Sequence, residues 1–237
     1  MKILYLLHAA FETPGIIESW STEKGHEQSY ISTYLGEVLP SFSLFDLIVV
    51  MGGPQSVVNL DENLYLEREI AFIRSALQAK IPVFGFCLGA QLIGAALGVQ
   101  AEHSPYKEVG IFPIVLTEEG INDPILEGLP QEFLTFHWHG DMPGLTKEAV
   151  VLATSAGCPR QIIRYLPHAY AFQCHPEMTL QGAEEIVKNC PEDFSPGEYI
   201  QTQQQILVPN FYALNRQNMT RILENFFAKA WSCARMS

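Results

Sequence analysis

The chain has 237 residues, 48 % of them hydrophobic and 17 % charged, and a net charge of −12. That composition supports a sizeable core and excludes a disordered chain. The acidic balance, with no run of Lys and Arg, speaks against nucleic acid or an anionic membrane as a partner.

Taken in chain order, residues 2–8 read as a first strand. Their apolar run is too short for a signal peptide, and Glu12 follows closely. A short helix is expected over 15–24, after Pro14. Phe45 to Met51 reads as a buried strand ending at Gly52-Gly53-Pro54. Leu66, Ile70, Ile73 and Leu77 then outline an amphipathic helix. Ile81-Pro82-Val83-Phe84 suits a short buried strand, and Leu88, Leu92, Ala95 and Val99 recur at helical spacing after it. Gly98 is placed to stop that helix. Further strands are expected over 110–116, 149–154 and 169–174. The segment 191–216 is less regular, with Pro191, Pro196, Gly197 and glutamines at 203–205. Ile222, Leu223, Phe226, Phe227, Ala230 and Trp231 predict a last helix, packed on the body or serving a homodimer contact.

This alternation predicts an α/β fold, a mostly parallel central sheet with helices on both faces. One domain over 1–190 with a helical extension over 191–237 packed on it is the simplest division. No stretch approaches the roughly 20 apolar residues of a membrane helix. The five cysteines, at 87, 158, 174, 190 and 233, are scattered and show no Cys-x-x-Cys pair. They fit a reducing compartment, so a cytoplasmic protein is expected.

Gly85-Phe86-Cys87-Leu88-Gly89 stands between the fourth strand and its helix. This is the form of a nucleophile elbow with cysteine in place of serine. The elbow leaves the sulfur exposed above the sheet edge, at the positive end of a helix. A cysteine nucleophile needs a base, an orienting group and oxyanion donors. His175 and Glu177 flank Pro176 and point the same way in an extended segment, so the carboxylate can hold one imidazole nitrogen. Gly52 and Gly53 end another strand and let a ligand approach the backbone. The N–H groups of Gly53 and Leu88 are the expected oxyanion donors. The three segments converge if each lies at the carboxyl end of its strand.

Gly-Phe-Cys-Leu-Gly-Ala-Gln, His-Pro-Glu and the Gly-Gly-Pro turn together resemble the class I glutamine amidotransferase family. They are most similar to its stand-alone members related to the glutaminase domain of GMP synthase. The likeness is densest through residues 46–178. It implies a flavodoxin-like architecture, a Cys87-His175-Glu177 triad, and hydrolysis of the glutamine amide through a γ-glutamyl thioester, releasing ammonia. It implies that Gln91 and the His139-Gly140-Asp141 segment line the substrate pocket with Gly52, and Trp138 is a candidate wall. Gln91, four residues from Cys87, also shares its helical face.

His137 and His139 would share a strand face and could pair on a metal, but no third ligand stands at suitable spacing. No metal and no cofactor are therefore expected. His8, His26, His103 and His168 read as structural or exposed, and Cys158, Cys174, Cys190 and Cys233 as inert. The chain carries neither a synthetase domain nor a phosphate loop of the Walker type. Either a partner synthetase subunit receives the ammonia, or the protein hydrolyses γ-glutamyl peptides alone. An inactive binding or regulatory module of the same fold is the third reading, and the intact Cys87, His175 and Glu177 argue against it.

Overall fold

A computed structural model describes residues 1–58 and 60–230. The chain begins with β1 (Lys2–Leu7), α1 (Ile16–Glu23), β2 (Glu27–Ser32) and β3 (Leu47–Val50). Next come α2 (Tyr65–Gln78), β4 (Val83–Phe86), α3 (Leu88–Ala96), β5 (Glu102–Leu116) and the short α4 (Glu118–Ile121). It continues through β6 (Glu132–Met142), β7 (Val150–Thr154), β8 (Ile162–Leu166), β9 (Ala169–Phe172) and α5 (Leu180–Asn189). Beyond these lie β10 (Tyr199–Ile200), α6 (Gln203–Ile206) and α7 (Pro209–Asn225).

The strands form one sheet in the order β10-β5-β7-β8-β9-β4-β3-β1-β2, with β6 also paired to β5. From β2 to β9 every pairing is parallel. The β5–β6, β5–β7, β7–β8 and β8–β9 pairings are antiparallel. The sheet is thus mixed, with its parallel half at the candidate elbow. Strands β3, β4 and β9 are buried along their whole length, as expected where helices cover both faces.

Period-two alternation sorts the core into two layers. Ile3, Tyr5, Leu47, Val49, Phe84 and Phe86 face one side, closed by α1 and α7 through Trp20, Met219, Ile222 and Phe226. Leu4, Leu6, Ile48, Val50 and Val83 face the other, closed by α2 and α3. A third cluster packs Val109 and Phe136 against α5, α6 and the start of α7.

Several expectations need adjusting. β2 and the first half of β5 escaped the pattern because their residues are largely polar or half-exposed, and β8 because its buried run Ile-Ile-Arg-Tyr-Leu is broken by Arg164. The segment 191–216 holds a two-residue strand, a short helix with a Thr202–Gln205 capping box, and the first turns of α7. Trp231 and Cys233 lie outside the described residues, and the side chain of Ala230 is likewise not described.

Phe226 is fully buried, edge-on to Phe84 at 4.7 Å between ring centroids and 6.1 Å from Tyr170. Phe226→Ala should therefore cost about 3–5 kcal/mol, read as a lower urea midpoint with an unchanged slope.

Candidate active site

Strand β4 runs straight into α3, and the crossing leaves no room for side chains. A Cβ on Gly85 would lie 2.3 Å from the Gly89 carbonyl oxygen, and one on Gly89 2.0 Å from that of Val50. Between them Cys87 is held at φ 50°, ψ −107°, a conformation L-residues rarely adopt. Its N–H donates to the Phe172 carbonyl at 2.8 Å, which ties the turn to β9. The sulfur sits at the N-terminus of α3, where unpaired N–H groups converge.

The strands beside β4 supply the rest. β9 leads to His175, whose Nδ1 is 2.7 Å from Glu177 Oε1. Both side chains are about 2 % exposed. Burial works against a charged His175, but the Glu177 carboxylate and the nearby Cys87 thiol outweigh it and hold its pKa well above the ordinary value. β3 leads to Gly52 and Gly53. A Cβ on Gly53 would meet the Leu88 side chain, at Cδ2, at 3.2 Å. His8, buried and 2.7 Å from Glu69, donates from Nδ1 to the Gly52 carbonyl at 3.2 Å.

Gly53, Cys87, Leu88, Gln91, Trp138, His139, Gly140 and Asp141 border one cavity of about 380 Å³, with Lys107 and Asp193 also on its wall. His175 and Glu177 stand outside it, bordering a small recess with Glu12. A larger cavity of about 790 Å³ lies along α2 and the end of α3, and among the described residues no Cys or His lines it.

Gln91 is buried and its amide donates to Gln173 Oε1 at 3.2 Å. Asp141 is engaged by His103 at 2.7 Å and by Ser56 at 3.2 Å. Trp138 donates from its indole to Asp193 at 2.6 Å, and its carbonyl lies 3.6 Å from Cys87 Sγ. His139 spends both ring nitrogens internally, on the Asp141 carbonyl at 3.2 Å and on Glu108 at 3.1 Å. Burial lowers its pKa. Glu108, from the adjacent strand, is a third potential metal donor beside His137 and His139 that their spacing in the sequence could not reveal. Cys174 turns into the core, away from the site, and burial pushes its thiol pKa well up.

Two neighbours of the site were not anticipated. Gln173 is fully buried, and its amide donates toward Cys87 Sγ at 3.4 Å. The alternation that joins His175 to Glu177 extends back to Gln173 and could have found it. Glu12 left no such signal. Its carboxylate reaches the site from the loop after β1, because a Cβ on Gly52 would meet Glu12 Oε2 at 2.0 Å and His175 Cε1 at 3.2 Å.

Known proteins share this arrangement of strands and turns. The family model "Glutamine amidotransferase class-I" matches residues 30–193. The chain belongs to the class-I glutamine amidotransferase family. It is 38 % identical over 224 residues to the glutamine amidotransferase-like protein YfeJ of Salmonella typhimurium, covering 92 % of this chain and 94 % of that one. It is 31 % identical over 177 residues to the GMP synthase of Aeropyrum pernix, covering 70 % of this chain but only 31 % of the synthase. The crystal structure of SMU.1228c superposes with a TM-score of 0.90 at 38 % identity, covering 96 % of this chain and all of that one. A Thermotoga maritima glutamine amidotransferase shares the fold, with a TM-score of 0.86 at 22 % identity over 94 % of this amidotransferase and 96 % of its own chain. No helix among the described residues is long and apolar enough to cross a membrane.

Glu12 gives a pH test of this neighbourhood. Burial raises its pKa above the ordinary 4.5, against the pull of His175 and His8, and Glu177 adds to the rise. The folded state therefore keeps a proton that the unfolded chain loses between 4.5 and the raised value. Stability contributed by this group is present below that window and lost as pH rises through it. Glu12→Gln should remove the loss. In urea melts from about pH 4 to about pH 8, the variant's midpoint should gain on the parent's as pH rises. Parallel curves would contradict the assignment.

Proposed function

We propose that this amidotransferase hydrolyses the side-chain amide of glutamine through a γ-glutamyl thioester on Cys87. The observation that carries the reading is the strained elbow cysteine with the buried His175–Glu177 pair beside it, on neighbouring strands of one sheet. In this reading the Cys87 proton already rests on His175, as its raised pKa favours, and the thiolate attacks the γ-carbonyl. The oxyanion rests on the N–H groups of Gly53 and Leu88, each worth on the order of 10²–10³ in rate. His175 then protonates the departing ammonia and activates water to cleave the thioester. Glu177 keeps the imidazole oriented throughout. Gln173, donating toward the sulfur, would stabilise it as a thiolate.

Substrate recognition follows from the cavity's charges. Asp141 and Asp193 suit the α-ammonium group of glutamine, and Lys107 its α-carboxylate. Gln91, His139 and Gly140 shape the pocket, His139 and Gly140 through their backbone, whereas Gly52 faces Glu12 and His175 outside the cavity. A partner synthetase would receive the ammonia. That reading is favoured by 36 % identity over 112 residues to a glutamine-hydrolyzing GMP synthase subunit of Thermoplasma volcanium. The match covers 46 % of this chain and 54 % of that one.

Cys87→Ala should abolish ammonia release from glutamine with little change in the thermal midpoint. Glu177→Gln should reduce kcat by on the order of 10²–10⁴ and leave residual turnover. Wild-type rates in Cys87→Ala would refute the mechanism. Glutamine and γ-glutamyl dipeptides should be assayed side by side, with Cys87→Ala as the blank. Turnover of dipeptides alone would replace the glutaminase reading with a γ-glutamyl peptide hydrolase.

A further inference from the structure

Behind the wall that carries Trp138, a polar cluster is shut inside the protein. Glu108, His137, His139 and Gln161 are at most 5 % exposed. Ser155 completes the group, its hydroxyl 2.7 Å from Glu108 Oε1. The antiparallel register sets Glu108 directly opposite His139, and His137 follows two residues away on the same face.

Each imidazole has one nitrogen on a backbone carbonyl. His137 Nε2 lies 3.3 Å from the Phe112 oxygen, and His139 Nδ1 lies 3.2 Å from that of Asp141. A carbonyl only accepts, so both of these nitrogens carry hydrogen. In a neutral ring the other nitrogen is then a lone pair. Those nitrogens, His137 Nδ1 and His139 Nε2, face Glu108 Oε2 at 3.5 and 3.1 Å. Three electron-rich atoms thus face one point, where the Gln161 amide N–H meets Glu108 Oε2 and His139 Nε2 but not His137 Nδ1. His137 Nδ1 is buried there without a hydrogen-bond partner, and Gln161 Oε1, at the other end of its amide, is buried without one as well.

Protonating both rings would relieve the repulsion, but it would seal two imidazoliums and one carboxylate away from water, which desolvation opposes. A single metal ion resolves it more simply. Donors around tetrahedral zinc stand about 3.3 Å apart, given bonds near 2.0–2.1 Å. The two measured edges, 3.1 and 3.5 Å, bracket that value, and all three donor atoms lie within 4.8 Å of one another. An outer N–H held by a backbone carbonyl is the usual way a metal-binding imidazole is oriented. The Gln161 amide nitrogen lies 2.6 Å from Glu108 Oε2 and 3.3 Å from His139 Nε2. Turning that amide over gives up its 2.9 Å bond to Ser155 and brings its unpartnered oxygen to the same point as a fourth donor, on an edge to Glu108 shorter than the tetrahedral value.

We propose that Glu108, His137, His139 and Gln161 form a closed structural site for one divalent metal ion of the zinc type. Two imidazoles with two oxygens suit zinc better than magnesium or calcium. The ion ties β5, β6 and the segment before β8 together behind Trp138, whose carbonyl faces Cys87 Sγ. The site is independent of the glutaminase reading.

The test counts metal in the full-length Cys87→Ala protein, so that no ion can sit on that thiol. Produced in zinc-supplemented medium, it should hold about one zinc per chain after dialysis. His137→Gln should hold less than about a tenth of that. No zinc in the parent, whether as purified or after refolding with zinc, overturns the proposal. Equal zinc in His137→Gln overturns it too, since the ion then sits elsewhere. If His137→Gln does not fold, the cobalt-loaded parent decides. Visible bands of tetrahedral cobalt with no thiolate-to-metal band support the site; a thiolate band, or no visible bands, refutes it.

Discussion

Because a Cβ on Gly89 would come within 2.0 Å of the Val50 carbonyl oxygen, α3 can begin against the sheet only with glycine at that position. This close approach fixes where β4 ends and holds Cys87 at a positive φ. It also aims the first turn of α3 at the space above β3 and β9. The strain of the turn, of order 1–3 kcal/mol for such a residue, is held by the fully buried strands on either side. The Cys87 N–H bond to Phe172 fastens the turn to β9, the strand that leads to His175. The distance between cysteine and histidine is thus set by strand spacing, not by flexible side chains.

The parallel half of the fold was legible because burial on both faces writes itself as short continuous apolar runs, such as Leu47-Ile48-Val49-Val50. Cys87, His175 and the Gly52-Gly53 turn were legible for a related reason. Each sits just past such a run, where a chemical residue breaks an apolar pattern. β2 reads Glu-Gln-Ser-Tyr-Ile-Ser on a half-exposed edge and offers no comparable contrast. α7 buries Asn215 and Asn218 between Phe211-Tyr212 and Met219, so the apolar periodicity is interrupted and shows only near Met219 and Ile222. Glu12 was illegible altogether, because its place beside His175 depends on how the loop after β1 folds over Gly52.

Ionisable groups at the site are arranged in depth. His175 is drawn toward its charged form by Glu177 on one side and the Cys87 thiol on the other. Glu12 is pushed the opposite way by burial, although it lies near the same imidazole. One carboxyl group therefore holds the histidine at 2.7 Å while a second is biased toward neutrality. Burial is the main physical reason for the rise at Glu12, and the neighbouring Glu177 carboxylate adds to it.

The antiparallel half does separate work with the same alternation. On β6, Trp138 turns its indole toward Asp193 and the cavity, while His137 and His139 turn inward to Glu108. On β5, Lys107 reaches Asp193 at the cavity and the next residue, Glu108, points the other way. Two adjacent strands thereby carry an outer charged rim and an inner polar cluster one residue out of phase. A one-residue slip of β5 against β6 would turn Lys107 to the buried imidazoles and Glu108 away from them. The inner cluster is what penalises that slip, because Glu108 finds Ser155, Gln161 and both imidazoles only in the observed register. The carbonyl of Trp138 inherits its position from that register, and so does the wall facing Cys87.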